Sequence, residues 1–164
     1  MKKNETTFSK DLAGKKLFVA RSFDAPLNEV WEAWTTSEIL DQWWAPHPYK
    51  VKTKTMDFKP GGYWLYAMIS PEGEATYSRE NYKEIEPKKL ISNSVFFCDE
   101  AGTENKDFGI SYWKKEFQED NDQTKVEIEI SFDKLEDLEQ IINMGFEEGF
   151  RAGLGNLEAY FQNK

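Results

Sequence analysis

Residues Leu135–Phe161 read LEDLEQIINMGFEEGFRAGLGNLEAYF, and the architecture turns on how this stretch folds. Leu135, Leu138, Ile141, Ile142, Phe146, Phe150, Leu154, Leu157 and Phe161 recur at the spacing of one apolar helix face. The stripe predicts a single long C-terminal helix of about seven turns. Gly145, Gly149 and Gly153 stand within it at four-residue intervals. Each glycine costs a helix about 1 kcal/mol relative to alanine, so tertiary packing must hold this helix.

What it packs against lies upstream. Val126, Ile128, Ile130 and Phe132 alternate with Lys125, Glu127, Glu129 and Ser131, the two-residue period of a strand with one face buried. Further strands are expected at about 51–55, 63–69, 75–85, 90–97 and 110–117. Lys59-Pro60-Gly61-Gly62 and Pro71-Glu72-Gly73 turn the chain between them. Turns this short imply antiparallel pairing, because a parallel crossover needs about a dozen residues. Before these strands, Leu17–Asp24 reads as a first strand. Asp24 caps a short helix bearing Leu27, Val30, Trp31 and Trp34, with Pro26 at its first position. Ser37 caps a second, through Ile39, Leu40 and Trp43, which Pro46 and Pro48 stop. Residues 1–16 read as a polar lead-in docking through Phe8 and Leu12, and 17–164 as one domain. The fold class is α+β, an antiparallel sheet of six or seven strands whose apolar face the long helix covers.

Composition narrows the function. With 21 Lys+Arg against 30 Asp+Glu the net charge is −9, which opposes binding to nucleic acid or to an anionic membrane. No apolar run is long enough for a signal peptide or a membrane span, and the single cysteine, Cys98, excludes an intrachain disulfide. A cytoplasmic protein without metal or cofactor is expected, since one His and one Cys cannot build the usual zinc sites. Cys98 precedes Asp99 and Glu100, whose charges oppose thiolate formation. His47 sits between two prolines with no acid partner in sequence. Pairs such as Glu84 and Glu86, or Glu147 and Glu148, read as solvated faces. No catalytic residue is assigned.

The aromatic residues carry more. After Gly62, Trp64, Tyr66 and Met68 share one face of a strand, and the glycines of the C-terminal helix must face them. Bulky rings opposite a helix face of small volume leave space between the layers. Either the glycines let the helix approach and pack closely on the sheet or, the reading ranked first by a narrow margin, a cavity lies there, lined by Trp64, Tyr66, Met68, Phe96, Tyr112, Ile142, Gly145, Phe146 and Gly149.

An ordered set of motifs runs through the chain: Arg21-Ser22-Phe23-Asp24-Ala25-Pro26, Val30-Trp31, Ala33-Trp34-Thr35, Trp43-Trp44-Ala45-Pro46, Asp57-Phe58, Pro60-Gly61-Gly62-Tyr63-Trp64, Met68, Glu84-Ile85-Glu86-Pro87 and Glu148-Gly149-Phe150. It resembles the family of proteins similar to the C-terminal domain of the activator of heat-shock-protein-90 ATPase, within the START-like helix-grip superfamily. The resemblance implies a curved antiparallel sheet gripping a long C-terminal helix, with a hydrophobic cavity between them. Leu65 stands where the family often has Arg, Lys88 where a second proline is frequent, and Phe150 where Trp is more common. Relatives in the superfamily bind lipids, hormones or polyketides, and some act as cyclases or aromatases. The expectation ranked first is therefore non-enzymatic binding of a small hydrophobic or aromatic ligand. A cyclase- or hydrolase-type enzyme ranks second, its sign being a buried carboxyl held protonated in the cavity. A chaperone co-factor or other protein-binding module ranks third. Sixteen residues ahead of Leu17 would not supply the separate domain with which the eukaryotic activators contact the chaperone. Association into a homodimer is compatible with the sequence.

Overall fold

A computed structural model describes residues 5–163. β1 (Thr7–Asp11) and β2 (Lys16–Phe23) are followed by helices α1 (Leu27–Thr35) and α2 (Ser37–Trp43). Six strands come next: β3 (Lys50–Met56), β4 (Tyr63–Ile69), β5 (Ala75–Glu86), β6 (Leu90–Cys98), β7 (Ser111–Asp120) and β8 (Gln123–Phe132). Helices α3 (Leu135–Asn143) and α4 (Phe146–Gln162) close the chain. The eight strands form one antiparallel sheet in the order β1-β2-β8-β7-β6-β5-β4-β3. The inward faces of the curved sheet and the apolar sides of α1, α2 and α4 share one core.

Four expectations change. Thr36, not Ser37, occupies the cap position of α2, with no side-chain cap hydrogen bond. The eighth strand is β1, drawn from the supposed lead-in: Thr7–Asp11 pairs with β2 through Lys16–Ala20. Phe8 packs on the core, but Leu12 is half exposed and docks nowhere. Residues 1–4 of that lead-in lie outside the described residues. Asp24 does not cap α1; its Oδ1 accepts from Gln123 Nε2 across the loop, and Pro26 occupies the cap position. The C-terminal stripe also belongs to two helices, because Gly145 adopts φ 87°, a left-handed conformation that ends α3 and starts α4.

The other two glycines of the stripe act differently. A Cβ on Gly153 would lie 3.2 Å from both the Trp43 and Trp44 carbonyl oxygens. That position lets α4 lie against the end of α2, not against the sheet. A Cβ on Gly149 would meet only Pro46 Cγ, at 3.8 Å. At the first hairpin after α2, a Cβ on Gly62 would collide with the Asp57 carbonyl, and Gly61 carries φ 85°. Gly61 N–H donates to the Tyr82 carbonyl and Tyr82 N–H to that of Gly62, so the turn is stitched to β5. This fixes the register of β4, which carries much of the site.

Candidate functional site: a cavity between the sheet and α4

A cavity of about 610 Å³ separates the sheet from the N-terminal half of α4. Its mouth lies among Tyr49, the β4–β5 hairpin with Glu72 and Glu74, and Met144 at the α3–α4 break. Met68, Phe97, Phe132 and Phe146 form the middle, and Trp44, Trp113 and Phe150 the inner wall. The opening exists because Gly145 turns the chain and Gly149 presents no side chain to the space.

Of the residues expected to line it, Tyr66, Met68, Phe96, Gly145, Phe146 and Gly149 do. Trp64, Tyr112 and Ile142 do not. Trp64 faces inward and is fully buried, but it stacks on Tyr66 at 4.0 Å and donates its N–H to Thr53 Oγ1 at 3.0 Å. Trp44, swung in from the end of α2, takes the wall position beside it, with ring centroids 5.6 Å apart. Tyr112 is one residue out of phase: Trp113 points inward, while Tyr112 is on the outer face and donates to Asp133 Oδ2 at 3.1 Å. On α3, Ile141 turns to the cavity in place of Ile142, a difference of about 100° around the helix.

The tryptophans at the inner wall have their polar edges satisfied within the protein. Trp44 Nε1 donates to Tyr66 Oη at 3.0 Å, and Trp113 Nε1 to Ser111 Oγ at 2.9 Å. Their ring faces remain for apolar contact.

Sequence reasoning missed the polar floor. On β5, Thr76, Ser78 and Glu80 follow the two-residue period inward from the mouth, all three lining the cavity. Glu80 is 1% exposed. Its Oε1 accepts from Asn93 Nδ2 at 3.2 Å and pairs with Lys115 Nζ at 3.4 Å. Lys115 is itself buried, its ammonium 5.4–5.8 Å from the ring centroids of Trp113, Trp44 and Trp34. Burial pushes the Glu80 carboxyl above the usual carboxylate range, and the Lys115 charge opposes that rise. Burial and then the Glu80 charge push the Tyr66 phenol up as well. A signal was present: Glu80 is in phase with Ser78 and Tyr82, and Lys115 falls between Trp113 and Phe117 on an inward-facing period.

The remaining reactive candidates lie elsewhere. His47 is exposed in the connector after α2. Burial, then Asp99, push the Cys98 thiol up, against the pull of Arg79, which disfavours a nucleophilic thiolate. Among the described residues, no group of three or more His, Cys, Asp or Glu could hold a metal ion, and no helix is long and apolar enough to cross a membrane.

The same sheet and helix arrangement recurs in solved structures. A protein of Arthrobacter aurescens matches with a TM-score of 0.91 at 24% identity, over 96% of this chain and 92% of that one. One of Mycobacterium smegmatis matches at 0.87 and 24% identity, over 94% and 96%. One of Staphylococcus epidermidis matches at 0.81 and 26% identity, over 93% and 91%. No curated protein matches the chain. The family model described as activator of Hsp90 ATPase homolog 1-like protein matches residues 24–162. That span runs from the loop after β2 to the end of α4 and takes in nearly the whole cavity wall, so the chain belongs to the activator of Hsp90 ATPase homolog 1-like family.

Proposed function

We propose that the protein binds a small hydrophobic or aromatic molecule, without transforming it, in the cavity between the sheet and α4. The observation that carries this reading is the cavity: about 610 Å³, walled by Trp44, Trp113, Phe146 and Phe150. That volume is in the range of sites for drug-sized molecules, with mostly apolar walls and a few polar groups. A protein-docking role has less support: of the large exposed apolar side chains among the described residues, Tyr49 and Met144 stand at the cavity mouth, and Leu12, Phe18 and Tyr112 lie on the β1–β2 turn, on β2 and on β7. The test is saturable binding of N-phenyl-1-naphthylamine, a neutral apolar dye, to wild type and to Gly149→Leu. Wild type is expected to bind, with quenching of Trp44 and Trp113 emission. Gly149→Leu is expected to fold and to lose binding at least tenfold. A wild type that binds no apolar probe overturns the reading.

A second reading, acid–base catalysis on a hydrophobic substrate, is favoured by one observation. Glu80 is a buried carboxyl in the cavity wall, raised by burial above the usual carboxylate range against the opposing charge of Lys115. Its Oε1 is already engaged by Lys115 and Asn93, which is why binding ranks first. Chemical turnover of a bound cyclisable or hydrolysable ligand, lost in Glu80→Gln without loss of binding, would reverse that order.

A further inference from the structure

Both contacts of Glu80 end on one oxygen, Oε1. Oε2 accepts no hydrogen bond from the described residues, and the residue forms part of the cavity wall. An acceptor that no protein group engages, on a residue of the cavity wall, is left for a donor on whatever occupies the cavity. The charged residues lining the cavity are Glu72, Glu74 and Glu80; no Lys, Arg or His among the described residues lines it. Lys115 reaches Glu80 from behind the wall. The two exposed glutamates stand at the mouth, the buried one at the floor, and the hydroxyls of Thr76 and Ser78 lie between them along β5. An entering molecule therefore meets negative charge at the mouth and finds a hydrogen-bond acceptor, not a cation, at the floor.

We infer that the cavity selects apolar ring systems bearing a hydrogen-bond donor, a hydroxyl or an N–H, which donates to Glu80 Oε2, and that it rejects hydrophobic carboxylates. The aromatic walls take the ring, and the donor completes the Glu80 shell that Asn93 and Lys115 leave half filled. A carboxylate at the same place would put a second negative charge against Glu80 in a low-dielectric site. This inference rests on the binding function proposed above.

Three fluorescent ligands of one ring size separate the two: pyrene, 1-hydroxypyrene and pyrene-1-carboxylate, each titrated against the full chain at pH 7. The expected order is hydroxypyrene tightest, by about tenfold over pyrene, the worth of one hydrogen bond to a charged acceptor. Pyrene-1-carboxylate is expected to bind weakest. In Glu80→Leu/Lys115→Met, which exchanges the ion pair for apolar side chains of similar length, the ratio of hydroxypyrene to pyrene affinity should fall towards one. Glu80→Gln, which keeps a weaker acceptor, should give an intermediate ratio, and it serves if the double variant does not fold. Equal affinities for all three ligands, or tightest binding of the carboxylate, would overturn the inference and leave hydrophobic binding standing. A hydroxypyrene preference that survives in both variants would overturn it too. Failure of all three to bind would remove both proposals.

Discussion

The two halves of α4 cover the same sheet with opposite results. Beneath the C-terminal half, Leu154, Leu157 and Phe161 are buried among Phe23, Val30 and Leu40, and the layers are in full contact. Beneath the N-terminal half, Phe146, Gly149 and Phe150 stand over about 610 Å³ of open space. Each half has a buried ion pair with its own task. At the closed end, Arg21 Nη2 pairs with Glu158 Oε1 at 3.5 Å, while its Nη1 donates to Thr6 Oγ1 at 3.1 Å. Arg151 Nη1 adds a hydrogen bond to the Thr6 carbonyl, so two arginines fasten the residue just ahead of β1 to β2 and α4. At the open end, Glu80 and Lys115 link two strands of one sheet and face a space without spanning it. The first pair joins elements. The second is polar equipment left at a ligand-sized gap.

The largest expected effect is at the open end. Lys115→Met leaves the Glu80 carboxyl buried without its counter-charge, and breaking such a pair costs about 3–5 kcal/mol. Replacing both members, Glu80→Leu/Lys115→Met, should recover most of that, since a buried pair exchanged for apolar side chains is often neutral or stabilising. Urea denaturation of the three proteins makes the comparison. A Lys115→Met loss below about 1 kcal/mol would mean that water reaches the pair and the floor of the cavity is wet.

Next in size is a contrast between neighbouring glycines. Gly153→Leu must push α4 away from the Trp43 and Trp44 carbonyls that lie 3.2 Å from its Cβ position, an overpacking cost of about 1–3 kcal/mol. Gly149→Leu has room ahead of it, with only Pro46 Cγ nearby at 3.8 Å, and removing a helix glycine returns up to about 1 kcal/mol. The two variants should therefore differ in thermal midpoint by several degrees, with Gly153→Leu the lower. Equal losses would show that the space under Gly149 closes in solution.

These contrasts also mark how far the sequence could be read. The alternation in β8 and the tryptophan-rich helices announced the fold, because a strand with one buried face and a helix with an apolar stripe leave distinct periods. β1 left none: Thr7, Ser9, Lys10 and Asp11 are exposed edge-strand residues, and only Phe8 is held inward. The split between α3 and α4 was invisible because the apolar stripe continues in phase on both sides of Gly145, and only backbone geometry shows that this glycine is left-handed. Three evenly spaced glycines looked like one device and are a turn, a cavity wall and a close contact. The Glu80–Lys115 pair was hidden by number, one carboxylate among 30 acidic residues, since period alone cannot tell a buried charge from a solvated one. Trp64 and Tyr112 were misassigned for a related reason: facing inward does not decide which inward residues touch the gap, and one residue along a strand reverses the face.

The smallest expected effect is a pH slope, and its sign follows from Glu80. Burial raises the carboxyl above its ordinary value of 4.5 in the folded chain, with Lys115 opposing. As pH climbs past that value, the folded chain still holds a proton that the unfolded chain has released. Stability then falls with pH. The contribution is fully present below the unfolded pKa and is lost as pH rises through the folded one. Besides burial, the group that acts on this carboxyl is Lys115, whose charge and hydrogen bond favour ionisation; the nearby phenols of Tyr66 and Tyr82 are themselves pushed up by burial and then by the Glu80 charge. Both phenols therefore stay neutral between pH 4.5 and about 8. Glu80→Leu/Lys115→Met carries neither member of the pair, so subtracting its stability from that of wild type at each pH cancels the ordinary carboxylates of the surface. The difference should move against wild type as pH rises across this range. A difference that stays flat, or moves in favour of wild type, would mean that Lys115 outweighs burial and holds Glu80 ionised throughout. The open end would then hold a fixed ion pair like the one at the closed end.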